Sequence, residues 1–194
     1  MYQNKCLVRL RGIRPGIILS NPMNTMTRPK SMTKDIPGPE IEAEWRSYWL
    51  PDRSGLALPS RNILAGFIQA CSGYKLPSNK KLSLAPIVAG DVMIEEEYIP
   101  FLNSKNEKIK DYSVLVTRVV VQKNGVLRGR PLIQDWEMEF ILEWESQFLG
   151  KDFHLVILPE LLKTLGERIG LGEWRPARKG PYGRFRVLKI EKID

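Results

Sequence analysis

Between Gly166 and Ile190 the chain gathers the residue types that handle phosphate and stacked bases. The segment reads Gly170-Leu171-Gly172-Glu173-Trp174-Arg175-Pro176-Ala177-Arg178-Lys179-Gly180-Pro181-Tyr182-Gly183-Arg184-Phe185-Arg186-Val187. Arg175, Arg178, Lys179, Arg184 and Arg186 supply positive charge, and arginine adds a planar fork that matches phosphate. Trp174 and Tyr182 offer ring faces on which a base can stack. Gly170, Gly172, Gly180 and Gly183 allow close backbone approach and positive φ. A basic, glycine-rich loop with aromatics at both ends suits the backbone of single-stranded nucleic acid. The plainer reading of the same residues is a helix-to-strand turn with solvated cations.

Further cations extend the pattern. Arg128 and Arg130 flank an Asn124-Gly125 hairpin signal, and Arg28, Lys30 and Lys34 lie in a proline-rich segment. The formal net charge is +8, which favours an acidic partner, most commonly nucleic acid.

Other chemistries have little material. His154 is the only histidine, which leaves one candidate for histidine acid–base work. It sits in an apolar stretch, Phe153 to Ile157, read as a short strand, where a structural role is the commoner one. The two cysteines, Cys6 and Cys71, read as small buried hydrophobes and not as a disulfide framework or a zinc site. No metal site and no cofactor is expected. Glu137, Glu139, Glu143 and Glu145 fall on one side of a strand and are read as its wet face, because carboxylate catalysis needs burial or a partner. Glu95-Glu96-Glu97 is read as a solvated turn.

These residues need elements to hold them. With 194 residues, 43% of them hydrophobic, the chain is long enough for one large domain, or one with a sizeable insertion. Lys5 to Arg11 alternates with period two, placing Cys6, Val8 and Leu10 on one side of a first strand. Ile17 to Leu19 resumes it. Residues 20–39 have no period and four prolines, which predicts a projecting loop. Pro39 opens a helix from Glu40 to Trp49, with Ile41, Trp45, Tyr48 and Trp49 on one face. Leu56-Ala57-Leu58 is a brief strand. Ser60 is the expected N-cap of a second helix, which buries Ile63, Leu64, Phe67, Ile68 and Cys71.

Residues 72–111 read as an insertion of exposed lysine-bearing loops, with two short strand runs from Leu84 to Glu95. Tyr112 to Val121 and Val126 to Arg130 form a hairpin around Asn124-Gly125. The run from Trp136 to Trp144 alternates apolar with acidic residues and predicts a half-buried strand. A last helix opens at Pro159, with Leu161, Leu162, Leu165 and Ile169 inward, and Gly170 caps it. Gly183 to Ile193 closes the chain as a strand.

The skeleton is β-α-β-β-α-β: an α+β, ferredoxin-like or RRM-type core with an antiparallel sheet and two helices on one face. The opposite face is expected to be free for a ligand or partner. No run is long and apolar enough to cross a bilayer, and the first residues lack a signal-peptide core, so a cytoplasmic location is expected.

Three segments together carry a family resemblance. They are the Lys5–Arg11 strand followed by a long irregular loop, the stretch Gly55-Leu56-Ala57-Leu58-Pro59-Ser60-Arg61-Asn62-Ile63-Leu64-Ala65-Gly66, and the terminal helix with Gly170-Leu171-Gly172, Gly180 and Tyr182-Gly183-Arg184-Phe185. The chain resembles the RAMP superfamily, particularly the backbone subunits that coat guide RNA in CRISPR effector complexes. The resemblance covers about half of the chain. Trp174-Arg175-Pro176 departs from the family's usual loop, and the insertion matches nothing in it.

The resemblance implies a non-enzymatic subunit of a ribonucleoprotein complex that holds single-stranded RNA, or DNA, by its backbone. It implies head-to-tail assembly with other copies and contact with other effector subunits in antiviral defence. Two alternatives stand beside it. One is an endoribonuclease of the same superfamily, with His154 as acid or base and Asp35 as a weak second candidate. The other is an assembly protein whose Trp45, Tyr48 and Trp49 meet a protein partner.

Overall fold

The computed structural model describes residues 4–21, 38–76, 79–121 and 124–193. The expected projecting loop, with Arg28, Lys30, Lys34 and Asp35, lies almost wholly outside them.

The chain begins with β1 (Asn4–Gly12) and β2 (Ile17–Ile18), then α1 (Pro39–Arg46), β3 (Ala57–Pro59) and α2 (Ser60–Ala70). Next come β4 (Lys75–Leu76), β5 (Asn79–Ser83), α3 (Leu84–Asp91), β6 (Val92–Ile94) and β7 (Tyr98–Pro100). The hairpin is β8 (Ser113–Val121) with β9 (Asn124–Ile133), followed by β10 (Glu137–Trp144). Three helices, α4 (Ser146–Leu149), α5 (Phe153–Val156) and α6 (Leu158–Thr164), lead through a π-helical turn (Leu165–Ile169) to the glycine-rich loop and β11 (Phe185–Ile193).

The main sheet has the order β11-β1-β10-β6 with every neighbour antiparallel. With α2 after β1 and α6 after β10, this is the ferredoxin-like α+β arrangement that the alternation of β1 and β10 predicts. Its buried side is built from period two. Cys6, Val8 and Leu10 of β1 meet Met138, Phe140 and Leu142 of β10, and the side chains of Ile63, Phe67, Leu161 and Leu162 from the helices pack against them. Each fully buried side chain of this size contributes about 1.5–3 kcal/mol. Trp136 contacts Phe101 and Phe185 edge-on, closing one end of the core.

Several expectations need correction. The second sheet strand is β6, from within the segment read as an insertion, and not part of the hairpin; β8 and β9 form a separate sheet with β2. The hairpin exists, but Asn124 and Gly125 lie in its return strand, opposite Val121 and Val120. Residues 84–91 and 153–156, read as strands, are helical. Short apolar runs do not separate the two states by periodicity. Lys75–Leu76 and Asn79–Ser83, read as loop, pair as short antiparallel strands, with Leu76 buried and Asn79–Ser83 exposed. Ser60 is the first residue of α2 and makes no side-chain cap. In α1 the buried positions are Glu42, 3% exposed, and Ala43, while Ile41 is 52% exposed.

The sheet's outer face is not wet and acidic throughout. Glu137 and Glu143 are buried beneath cations from β1. Glu137 receives hydrogen bonds from Arg9 Nε at 2.8 Å and Arg11 Nε at 2.7 Å, and Lys5 pairs with Glu143. Charge pairing therefore occupies much of the face expected to be free.

Candidate nucleic-acid interface

The glycine-rich loop is a tightly held structure. The π-helical turn ends at Gly170, whose N–H donates to Leu165 O at 2.6 Å. Glu173 N–H donates to Ile18 O and Gly183 N–H to Gly16 O, so the loop is pinned on β2 and the turn just before it. Gly180 and Gly183 are required sterically. A Cβ on Gly180 would lie 1.8 Å from Trp174 O, and one on Gly183 1.7 Å from Leu171 O, at φ +71°. Trp174 and Lys179 also adopt left-handed φ, at 51° and 61°. Non-glycine residues there are uncommon and cluster at functional sites.

The candidate cations divide into two groups. Arg130 is 7% exposed. Its Nε donates to Glu173 Oε2 at 2.8 Å, its Nη1 to Thr117 Oγ1 at 3.0 Å, and its guanidinium lies 4.5 Å from the Trp174 ring centre. Arg128 Nη1 donates to Glu42 Oε1 at 3.1 Å. Glu42 also accepts from Arg46 Nη2 at 3.0 Å and from Gly129 N–H at 3.0 Å. Arg128 and Arg130 therefore tie the hairpin to α1 and to the loop, using up their charge within the chain. Arg178, Lys179, Arg184 and Arg186 are exposed, and among the described residues no carboxylate pairs with them.

Arg175 is intermediate. It is half-buried, and its Nη1 donates to Gly172 O at 3.1 Å. Its Nε is buried and has no hydrogen-bond partner. Burial, with Arg178 adding to it, pulls its pKa below the usual arginine value. Trp174 and Tyr182 lie together, ring centres 6.4 Å apart, so both aromatic candidates meet at one place.

Beside the loop opens a cavity of about 600 Å³. Residues 170–175 and Arg178 form one wall, and Asn62, Ala65, Gly66 and Gln69 of α2 form the other. Leu19, Ser20, Tyr48 and Leu58 complete it. Asn62, Gln69 and Tyr48 were not apparent as site residues from the sequence. For Asn62 and Gln69 the signal was helical spacing on the polar side of α2, and nothing local links that side, or Tyr48 after α1, to a loop more than a hundred residues away.

The remaining candidates lie elsewhere. His154 is 6% exposed, its ring centre 5.5 Å from that of Trp144 and its Nδ1 3.2 Å from Lys151 O. Tyr48 is buried, and Trp49 lies half-buried under the Arg53 guanidinium. Burial pushes the Cys6 and Cys71 thiols up to about 12. Among the described residues no cluster of His, Cys, Asp and Glu could hold a metal ion, and no helix is long and apolar enough to cross a membrane.

No family model and no curated protein matches the chain. Its fold is similar to that of a chain in the cryo-EM structure of the Type III-B Cmr-beta bound to cognate target RNA. The TM-score is 0.54 and the identity 15%, over 98% of this chain and 61% of that one. The likeness is one of fold, and this chain spans about three-fifths of the length of the chain it matches.

Proposed function

We propose that the chain is a non-enzymatic RNA-binding component of a CRISPR-type ribonucleoprotein complex, holding a single strand by its backbone. The observation that carries this reading is the grouping of four exposed cations in one loop-to-strand segment, none of them paired with a carboxylate among the described residues. They are Arg178, Lys179, Arg184 and Arg186, on and beside a pinned loop that also presents Trp174 and Tyr182. Fixed cations on a rigid loop neutralise phosphates with little ordering cost, and stacking adds about 1–3 kcal/mol per base. The fold's likeness to a chain of an RNA-bound effector supports RNA and other effector subunits as partners.

In this reading Arg175 orients the loop and faces the strand, while Arg128 and Arg130 brace the site. Arg28, Lys30 and Lys34 supply a second set of phosphate contacts. The whole chain acts as one RAMP-like domain in the cytoplasm, and copies line up head-to-tail along the strand, a heterologous contact that gives a filament. His154 is buried against Trp144, so a phosphate of a bound strand has no direct access to it.

The test is titration of labelled single-stranded RNA at several salt concentrations, with gel analysis of the RNA afterwards. Log-linear weakening with salt and intact RNA are expected. Affinity that does not change with salt refutes backbone binding. RNA cleavage lost in His154→Ala refutes the non-enzymatic role.

A further inference from the structure

The cavity between α2 and the glycine-rich loop is larger and more apolar than contact with a phosphate chain requires. Its volume of about 600 Å³ lies in the range of small-molecule pockets, about 300–1,000 Å³. The half-buried Trp174 ring is the accessible apolar part of its lining, with the buried Leu19, Tyr48, Leu58 and Leu171 packed behind it. Such a surface penalises an anion and suits the flat face of a base.

Polar groups sit around this apolar surface. Asn62, Ala65 and Gln69 lie three and four residues apart, so one face of α2 borders the cavity. The Gln69 amide offers a donor and an acceptor, and the Asn62 amide, which also meets the Tyr48 hydroxyl, keeps its remaining donor and acceptor capacity. Arg175 and Arg178 line the opposite wall, and Arg175 keeps a buried Nε with no partner. A side-chain amide matches the paired donor and acceptor on an adenine edge. A cation beside it suits the phosphate attached to that base.

We propose that this cavity receives one adenine base turned out of the bound strand, read by the amides of Asn62 and Gln69. The inference rests on the RNA-binding reading and adds base selectivity to it. A strand held only by its phosphates would show no base preference.

The experiment compares short oligo(A), oligo(C) and oligo(U) of equal length, together with free adenosine monophosphate. The proteins are wild type, Ala65→Phe and Gln69→Leu. Ala65 and Gln69 are exposed on α2, so neither change enters the core, and thermal melts check folding. Wild type is expected to favour oligo(A) by about tenfold, the scale of one good amide–base contact. In both variants that preference is expected to collapse toward the oligo(U) level. The salt slope of wild type on oligo(U) reports the phosphate contacts separately.

Equal affinity of wild type for the three oligomers, with a normal salt slope, overturns the base pocket and spares backbone binding. Preference that persists in Ala65→Phe also overturns the pocket. Free adenosine monophosphate binding as tightly as oligo(A) rules out the strand as the source of the base. Failure of every oligomer to bind removes the RNA reading and this inference together.

Discussion

Replacing Arg178, Lys179 and Arg184 together with alanine separates binding from folding. All three are exposed, and among the described residues none has a carboxylate partner. Lys179 has left-handed φ, but its Cβ is already present, so alanine adds no strain there. The hydrogen bond from Lys179 N–H to Pro176 O belongs to the backbone and survives the change. Surface substitutions of this kind usually shift stability by less than about 0.5 kcal/mol each. Binding should respond strongly. Each single-strand phosphate contact contributes about 0.7 to the slope of log affinity against log salt, so losing three makes the slope shallower by about 2. The assay is fluorescence anisotropy with single-stranded RNA over a salt series, beside a thermal melt of the same protein. A normally folded variant with wild-type affinity and slope would show that this loop is only a turn.

Other substitutions probe the support. Gly183→Ala should lower the melting temperature and weaken binding together, because its Cβ would meet Leu171 O at 1.7 Å in a left-handed backbone; a wild-type melt refutes that geometry. Glu42→Ala should cost about 3 kcal/mol in a denaturant titration, because it strands the Arg128 guanidinium and the Gly129 N–H and leaves Arg46 only Ser20 and Glu173; a loss below about 0.5 kcal/mol marks the pairing as incidental. Burial pushes the Glu137 carboxyl up, but hydrogen bonds from Arg11 and Arg9 outweigh it and hold the pKa below the usual carboxylate range. Its stabilisation is therefore present above the ordinary glutamate pKa, about 4.3, and is lost as pH falls through the lowered folded value. Comparing wild type with Glu137→Gln over that acid range should reveal this share of the pH dependence. Parallel stability curves for the two proteins refute it.

Much of the framework was legible because one physical rule governs it. β1 and β10 each bury one face, so period two appears directly in Cys6-Val8-Leu10 and in Trp136 to Trp144. The close backbone approaches at Gly180 and Gly183 were legible as glycine positions, because only a residue without Cβ fits against Trp174 O and Leu171 O. What was not legible depends on distant partners. Glu42 is buried because Arg128 and Gly129, more than eighty residues on, satisfy it, and no local pattern shows that. Val92–Ile94 is too short to announce itself as a sheet strand, and its place comes from pairing with Leu142 to Trp144. The cavity is set by how α2 packs against the π-helical turn, where a Cβ on Gly66 would come within 2.6 Å of Leu165 Cδ1.

The same consideration sorts the cations. Positive charge near an aromatic loop looks alike in a sequence whether it braces the fold or meets a ligand. An arginine that already shares a buried carboxylate must give up that partner to bind phosphate, and it leaves an unpaired charge behind. Arg130, between Glu173, Thr117 and the Trp174 ring, is such a residue. An exposed arginine without a partner gives up only water and exchanges loosely held counterions, which is the source of salt-dependent affinity. Arg178 and Arg184 meet that condition, and Arg130 fixes the position of the Trp174 ring beside them. In the proposed RNA-binding role the buried pairs act indirectly, by setting the geometry of the loop that carries the exposed charges.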